Sequence, residues 1–199
     1  MNNKIKFPGK NPNSQNSSVE HALFELGYAL DIEGMNNAAE SLYLQAIEML
    51  EDKANSGSLS ELADAAFEHG KKLYEIKRLE EAASAFARAI EITDSLIVLD
   101  ASHLMVEKLA IAISWHSRCL RKLKKFDRAC EQYQRSCSIW TVLKSLAPKN
   151  DSYSLRLGLS LYGLSKCLES KKDFELADLA LYSAKCLLNS FIGGFNQAV

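Results

Sequence analysis

Proline and glycine are scarce, 3 and 9 in a chain of 199 residues, too few for the dense turns of an all-β fold. Long apolar runs are missing as well. Leu96 to Leu99 spans only four residues, against the roughly 18 that a membrane-spanning helix needs. The opening MNNKIKFPGKNPNSQNSS has no apolar core of the kind a secretory signal carries, so neither export nor membrane insertion is expected, and a cytoplasmic setting is. The motifs G-x-x-x-x-G-K, G-x-G-x-x-G, H-E-x-x-H and G-x-S-x-G do not occur, so the sequence offers no phosphate cradle, zinc-protease pair or nucleophile elbow. The expectation is a protein that is not an enzyme and takes no cofactor. The five cysteines, Cys119, Cys130, Cys137, Cys167 and Cys186, are odd in number and include no C-x-x-C pair, which argues against a disulfide framework.

What is present is ordinary in amount and uneven in placement. Hydrophobic residues make up 47% and charged residues 25%, the balance of a chain that can bury a core. The net charge of −1 conceals a polarity: residues 1–100 carry 9 Lys/Arg against 17 Asp/Glu, and residues 101–199 carry 15 against 8. Such segregation concerns partners and orientation more than folding.

Residues 1–17, rich in Asn, Ser, Pro and Lys, are expected to form a flexible basic tail. Helical periodicity runs from there to about residue 190, and Gly193-Gly194 reads as a stop before a short tail over 191–199. Within 18–190 one pattern recurs four times. Its members are Leu23, Gly27, Leu30, Gly34, Ala39, Tyr43 and Ala46; then Ala66, Gly70, Leu73, Leu79, Ala82, Phe86 and Ala89. The third set is Ile113, Ser117, Leu120, Phe126, Ala129, Tyr133 and Ser136, and the fourth is Leu161, Ser165, Leu168, Phe174, Ala177, Leu181 and Ala184. The small residues Gly27, Gly70, Ser117 and Ser165 are 43, 47 and 48 apart, and each precedes its alanine by 12. A fixed internal distance of this kind specifies a helix–turn–helix in which a small residue faces an alanine and an aromatic column fills the next groove. The breaks fall at Gly34-Met35-Asn36, Ile76-Lys77-Arg78, Lys124-Lys125 and Lys171-Lys172. Ser17-x-x-Glu20 and Ser58-x-x-Glu61 have capping-box spacing, and Pro148-Lys149-Asn150-Asp151 punctuates the third junction. Eight helices are expected.

The stretches LFELGYAL…NNAAESLYLQAIEM and AAFEHGKKLYEIKRLEEAASAFARAIEI resemble the tetratricopeptide repeat. The longer spacing is similar to the long-helix variants found in kinesin light chain and in bacterial signalling proteins. The resemblance implies an all-α solenoid of four repeats in a right-handed superhelix. It also implies a concave face, lined by the first helix of each repeat, on which a peptide or helix of a partner protein lies. Matched position by position, that face would carry Phe24 and Tyr28 beside His21 and Asp31, then Phe67, Lys71 and Tyr74 beside Asp64. It would continue with Arg118 and Arg121 beside Ser114 and Lys122, and with Tyr162 and Lys166 beside Glu169. The carboxylate clamp of the co-chaperone members is absent in either register, since its positions hold Phe24, Tyr28, Glu68, Ile111 and Trp115, or Phe67, Lys71, Trp115, Leu159 and Gly163. The implied role is an adaptor, an inhibitor or immunity protein, or a dedicated chaperone, whose partner brings an acidic segment.

Further patterns bear on function. Arg118, Arg121, Lys122, Lys124, Lys125, Arg128 and Arg135 could serve a nucleic-acid-associated regulator, although the acidic first half argues for a protein partner. His116 and Cys119, three apart, with Cys130 across the turn, lack a fourth ligand for a structural zinc, and no metal is expected. His69 and His116 share one column and read as half-buried helix residues. The last helix, from Phe174 to Ser190, carries Leu176, Leu179, Leu181, Leu187 and Leu188, with Phe191 just beyond. It is expected to be covered by a second copy or by the partner.

Overall fold

The computed structural model describes residues 19–54, 59–99 and 102–195. Among them are eight α-helices and no strand: α1 (Val19–Ile32), α2 (Asn36–Ala54), α3 (Leu59–Glu75), α4 (Leu79–Leu99), α5 (His103–Lys122), α6 (Phe126–Leu146), α7 (Asp151–Ser170) and α8 (Phe174–Phe195). The expected tail over 1–17 and the capping serines Ser17 and Ser58 lie outside the described residues. The chain divides between Met49 and Leu50 into two compact units, the first with α1 and most of α2, the second with α3 to α8.

One turn is built four times. After α1, α3, α5 and α7 the backbone enters the left-handed region at Gly34 (φ 78°), Lys77 (68°), Lys124 (59°) and Lys172 (65°). Each turn closes with the paired bonds of a Schellman cap. Around Lys77 these are Lys77 N–H to the Tyr74 carbonyl at 3.2 Å and Arg78 N–H to the Leu73 carbonyl at 2.9 Å. The same two bonds recur at Gly34/Met35, Lys124/Lys125 and Lys172/Asp173. Three residues between helices leave no freedom but to fold the second helix back antiparallel on the first. The junctions between pairs are capped differently. The Ser102 side chain accepts from Met105 N–H at the start of α5, and Asn150, within the expected punctuation, accepts from Ser152 N–H at 3.1 Å at the start of α7.

The repeated small and alanine positions are all buried: Gly27, Gly70, Ser117 and Ser165, with Ala39, Ala82, Ala129 and Ala177. Their packing differs in one respect from the sequence expectation. A Cβ built on Gly27 would lie 2.6 Å from the Tyr43 ring, and one on Gly70 would lie 2.8 Å from the Phe86 ring. The glycines therefore make room first for the aromatic of their own pair. Ser117 and Ser165 remain satisfied in the core by donating to their own helix, to the carbonyls of Ile113 (2.7 Å) and Tyr162 (2.9 Å). In the first unit, buried Tyr43 donates to the Asp31 carboxylate at 3.0 Å.

In the second unit consecutive helices pack in order from α3 to α8, and the first helices also touch one another, α3 with α5 and α5 with α7. Ile90, Leu109, Ala112 and Ile113 form one core cluster, and Ala110, Trp140, Leu143, Tyr153 and Leu157 form the next. A third joins Leu120, Ala129, Cys130, Tyr133, Cys167 and Ala177. Helix α8 continues to Phe195, past the Gly193-Gly194 pair expected to end it. Glycine inside a helix costs about 1 kcal/mol relative to alanine and does not by itself stop one.

Candidate functional site

Helices α3, α5 and α7 present one row of aromatic and basic side chains. Phe67 tilts against Phe86 of α4 with ring centroids 5.6 Å apart. Trp115 of α5 stacks on the same Phe86 at 5.9 Å and meets Tyr74 at near right angles at 5.3 Å. Cations rest on the outer surfaces of these rings: Lys122 over Tyr74 at 4.3 Å, Arg118 over Trp115 at 5.0 Å, Lys71 over Phe67 at 5.7 Å and Lys166 over Tyr162 at 5.6 Å. Cation–π contact holds each long side chain against the surface while its charge remains available. Tyr162 is exposed at 45%.

The charges on this row are unequal. Lys71 is tied to Glu68 and Lys166 to Glu169, each at 2.8 Å. Arg118, Arg121 and Arg156 have no carboxylate partner among the described residues. Arg121 instead bonds the phenol of Tyr133, which burial pushes up to about 12 against the opposing pull of that guanidinium. The Arg121 Nε atom is buried without an acceptor. Within the seven-cation cluster Arg135 is paired, its guanidinium donating to both carboxylate oxygens of Asp94 of α4 at 2.6 and 2.7 Å.

Two cavities open beside α5. The larger, about 190 Å³, lies among α3, α4 and α5 and is lined by Ala63, Phe67, Ala89, Thr93, Ile111 and Ala112, with Asp64, Glu68 and Lys108. Its charges are matched, because Lys108 donates to Asp64 at 2.7 Å and Glu68 holds Lys71. The smaller, about 50 Å³, lies among α5, α6 and α7 and is lined by Ile111, Ser114, Trp115, Arg118, Tyr133, Trp140, Arg156, Leu159 and Ser160. These are the same place in successive repeats. Thr93 and Trp140 are equivalent, as are Lys108 and Arg156, and Ala112 and Ser160. Where the first has a threonine at its inner end the second has an indole, which fills the space. Arg156 lies over that indole at 5.4 Å, and the Trp140 N–H is buried with no acceptor. Three hydroxyls meet there. Ser114 lies 2.8 Å from Ser136 and 3.4 Å from Ser160, and Ser136 and Ser160 are 3.1 Å apart.

Of the residues expected on the concave face, Phe67, Lys71, Tyr74, Arg118, Arg121, Tyr162 and Lys166 therefore lie on the neighbouring helices α3, α5 and α7. Phe24 and Tyr28 belong to α1 in the other unit. Tyr28 is half-buried there, and the Phe24 side chain lies outside the described residues. Trp140, Thr93, Lys108 and Arg156 escaped the sequence reading, and Trp115 entered it only as a position of the absent clamp. Trp115 occupies the column of Glu68 and Gly163, and Lys108 and Arg156 the column of Glu61, so extending the columns by one turn would have found them. Thr93 and Trp140 sit on second helices, and only packing brings them to the face.

His69 and His116 are buried, and both are held neutral, lowered to about 4 first by burial and then by Arg78 and Lys72, or by Arg128 and Lys125. Burial likewise pushes the Cys119, Cys137 and Cys167 thiols up to about 12, so they act as small packing groups. Among the described residues no three His, Cys, Asp or Glu side chains are grouped to hold a metal, and no helix is long and apolar enough to cross a membrane. No protein-family model matches the chain, and no curated protein matches it.

Proposed function

We propose that this protein is a non-enzymatic interaction module, a cytoplasmic solenoid of four tetratricopeptide-type repeats that takes a peptide or helix of one partner protein along its first helices. Four identical Schellman turns at a spacing of 43, 47 and 48 residues support the repeat assignment. The observation that carries the binding assignment is the row Phe67, Tyr74, Trp115, Arg118, Arg121 and Tyr162. Here aromatic area stands beside guanidinium groups that have no carboxylate partner among the described residues. Aromatic anchors flanked by arginine are the residue types that dominate binding energy at protein interfaces, and the uncompensated charge selects an acidic segment. An adaptor, an inhibitor or immunity protein and a dedicated chaperone all act through such occupancy.

Selection from a random peptide library tests this reading. The wild-type chain should enrich binders, and a variant with alanine at Phe67, Arg118 and Tyr162 that keeps its helical circular dichroism should not. Equal enrichment by the two proteins refutes the assignment. A salt titration separates the nucleic-acid reading, because phosphate binding weakens linearly and steeply on a log–log plot.

A further inference from the structure

The two cavities differ in chemistry although they are the same site one repeat apart, and that difference specifies what the partner segment carries. We infer that the segment sets one aliphatic side chain into the α3/α4/α5 cavity and one carboxylate into the α5/α6/α7 cavity, on Arg118 and Arg156. This rests on the proposed groove function and adds the pattern that the groove reads.

The larger cavity, about 190 Å³, exceeds the roughly 150 Å³ apolar space that holds a benzene. Its alanines, Phe67 and Ile111 provide an apolar wall, and its charged rim is internally paired. It offers burial to an aliphatic group and no unsatisfied charge to an ion. The smaller cavity has about 50 Å³, nearer to one or two waters at about 30 Å³ each than to an aliphatic side chain. Its lining holds two guanidiniums and no acid. The hydroxyls are engaged, Ser114 donating to the Ala110 carbonyl at 2.8 Å and Ser160 meeting Ser136 at 3.1 Å, so the two guanidiniums are what the cavity offers a ligand. Two cations lining one small cavity with no acid among its walls repel each other. A carboxylate supplies the missing counter-charge, since a planar anion accepts from two guanidiniums at once. Packed helices stand about 8–10 Å apart, and an extended chain advances about 3.3–3.6 Å per residue. The aliphatic residue and the carboxylate therefore fall about three residues apart in an extended segment.

The experiment is the peptide selection carried to a consensus, followed by fluorescence anisotropy with the consensus peptide. The expected consensus pairs Leu, Ile, Val or Met with Asp or Glu at a separation of about three. Replacing that acid with its amide should weaken binding roughly tenfold or more. Versions with a free and an amidated carboxy terminus show whether a side chain or the chain end supplies the carboxylate. Arg118→Gln and Arg156→Gln should abolish the acidic preference and keep the aliphatic one. Thr93→Trp, which gives the larger cavity the residue of the smaller, should do the reverse, and Thr93→Leu serves if the indole prevents folding. A consensus without this pair, or an affinity unmoved by the amide, overturns the inference while leaving the groove in place. Failure of the wild-type chain to enrich any peptide removes the groove itself.

Discussion

Three lysines hold a backbone conformation that suits glycine. Lys77, Lys124 and Lys172 have φ between 59° and 68°, where the first pair uses Gly34. A side chain there places Cβ against the following carbonyl. Lys124→Gly should therefore raise the unfolding free energy by about 0.5–1 kcal/mol, read by urea denaturation. A loss of stability would show that the lysine side chain makes a contact worth more than the strain. The buried histidines set the response to acid. With folded values near 4 against 6.5 unfolded, the unfolded chain binds more protons between those limits, so stability falls as pH drops from about 6.5 to 4. The loss is roughly 3 kcal/mol for each histidine. His116→Leu should flatten the fall in unfolding free energy between pH 7 and 4.5, and an unchanged slope would mean that His116 is not held neutral by its surroundings.

At the scale of the helix pair, the tight contacts are those of small residues with rings. Gly70→Ala would bring a Cβ within 2.8 Å of Phe86. Ala129→Leu would force a larger group into a site with no exposure. Each should cost about 1–3 kcal/mol through overpacking, visible as a lowered melting temperature with helicity kept; an unchanged melting temperature for both would refute the close packing. The pairs were legible in the sequence because the constraints are local. A left-handed turn and a small residue seven positions before it recur four times, and nine positions after it stands an aromatic in the first three pairs and Leu181 in the fourth. The two cavities were not legible, because they depend on whether position 93 or 140 holds a threonine or a tryptophan. These residues lie on second helices, and the columns drawn along the first helices passed over them. The partner of Gly27 and Gly70 was missed for a related reason: alanine and aromatic both follow at fixed distances, and only packing shows which one meets the glycine.

For the molecule as a whole, two surfaces are candidates for a partner. One is the face of α3, α5 and α7. The other is the outer stripe of α8, where Leu176, Leu179 and Tyr182 are exposed at 50, 62 and 68%. The equivalent positions on α6 are Arg128, Glu131 and Gln134, and on α4 they are Glu81, Ser84 and Ala87. An apolar stripe on α8 alone among the three second helices of the larger unit suits a contact surface. Leu181, Leu187 and Leu188 are half-buried, so the exposed stripe is narrower than the sequence suggested and includes Tyr182. If a second copy covers it, light scattering should show a dimer that Leu179→Glu converts to a monomer. A monomeric wild-type chain would assign the stripe to another partner. The central claim concerns the first surface, and amide chemical-shift mapping of the labelled chain with a selected peptide tests it most directly. The account predicts perturbations concentrated in residues 63–74, 108–122 and 156–169. Perturbations confined to the outer faces of α4, α6 and α8 would contradict it.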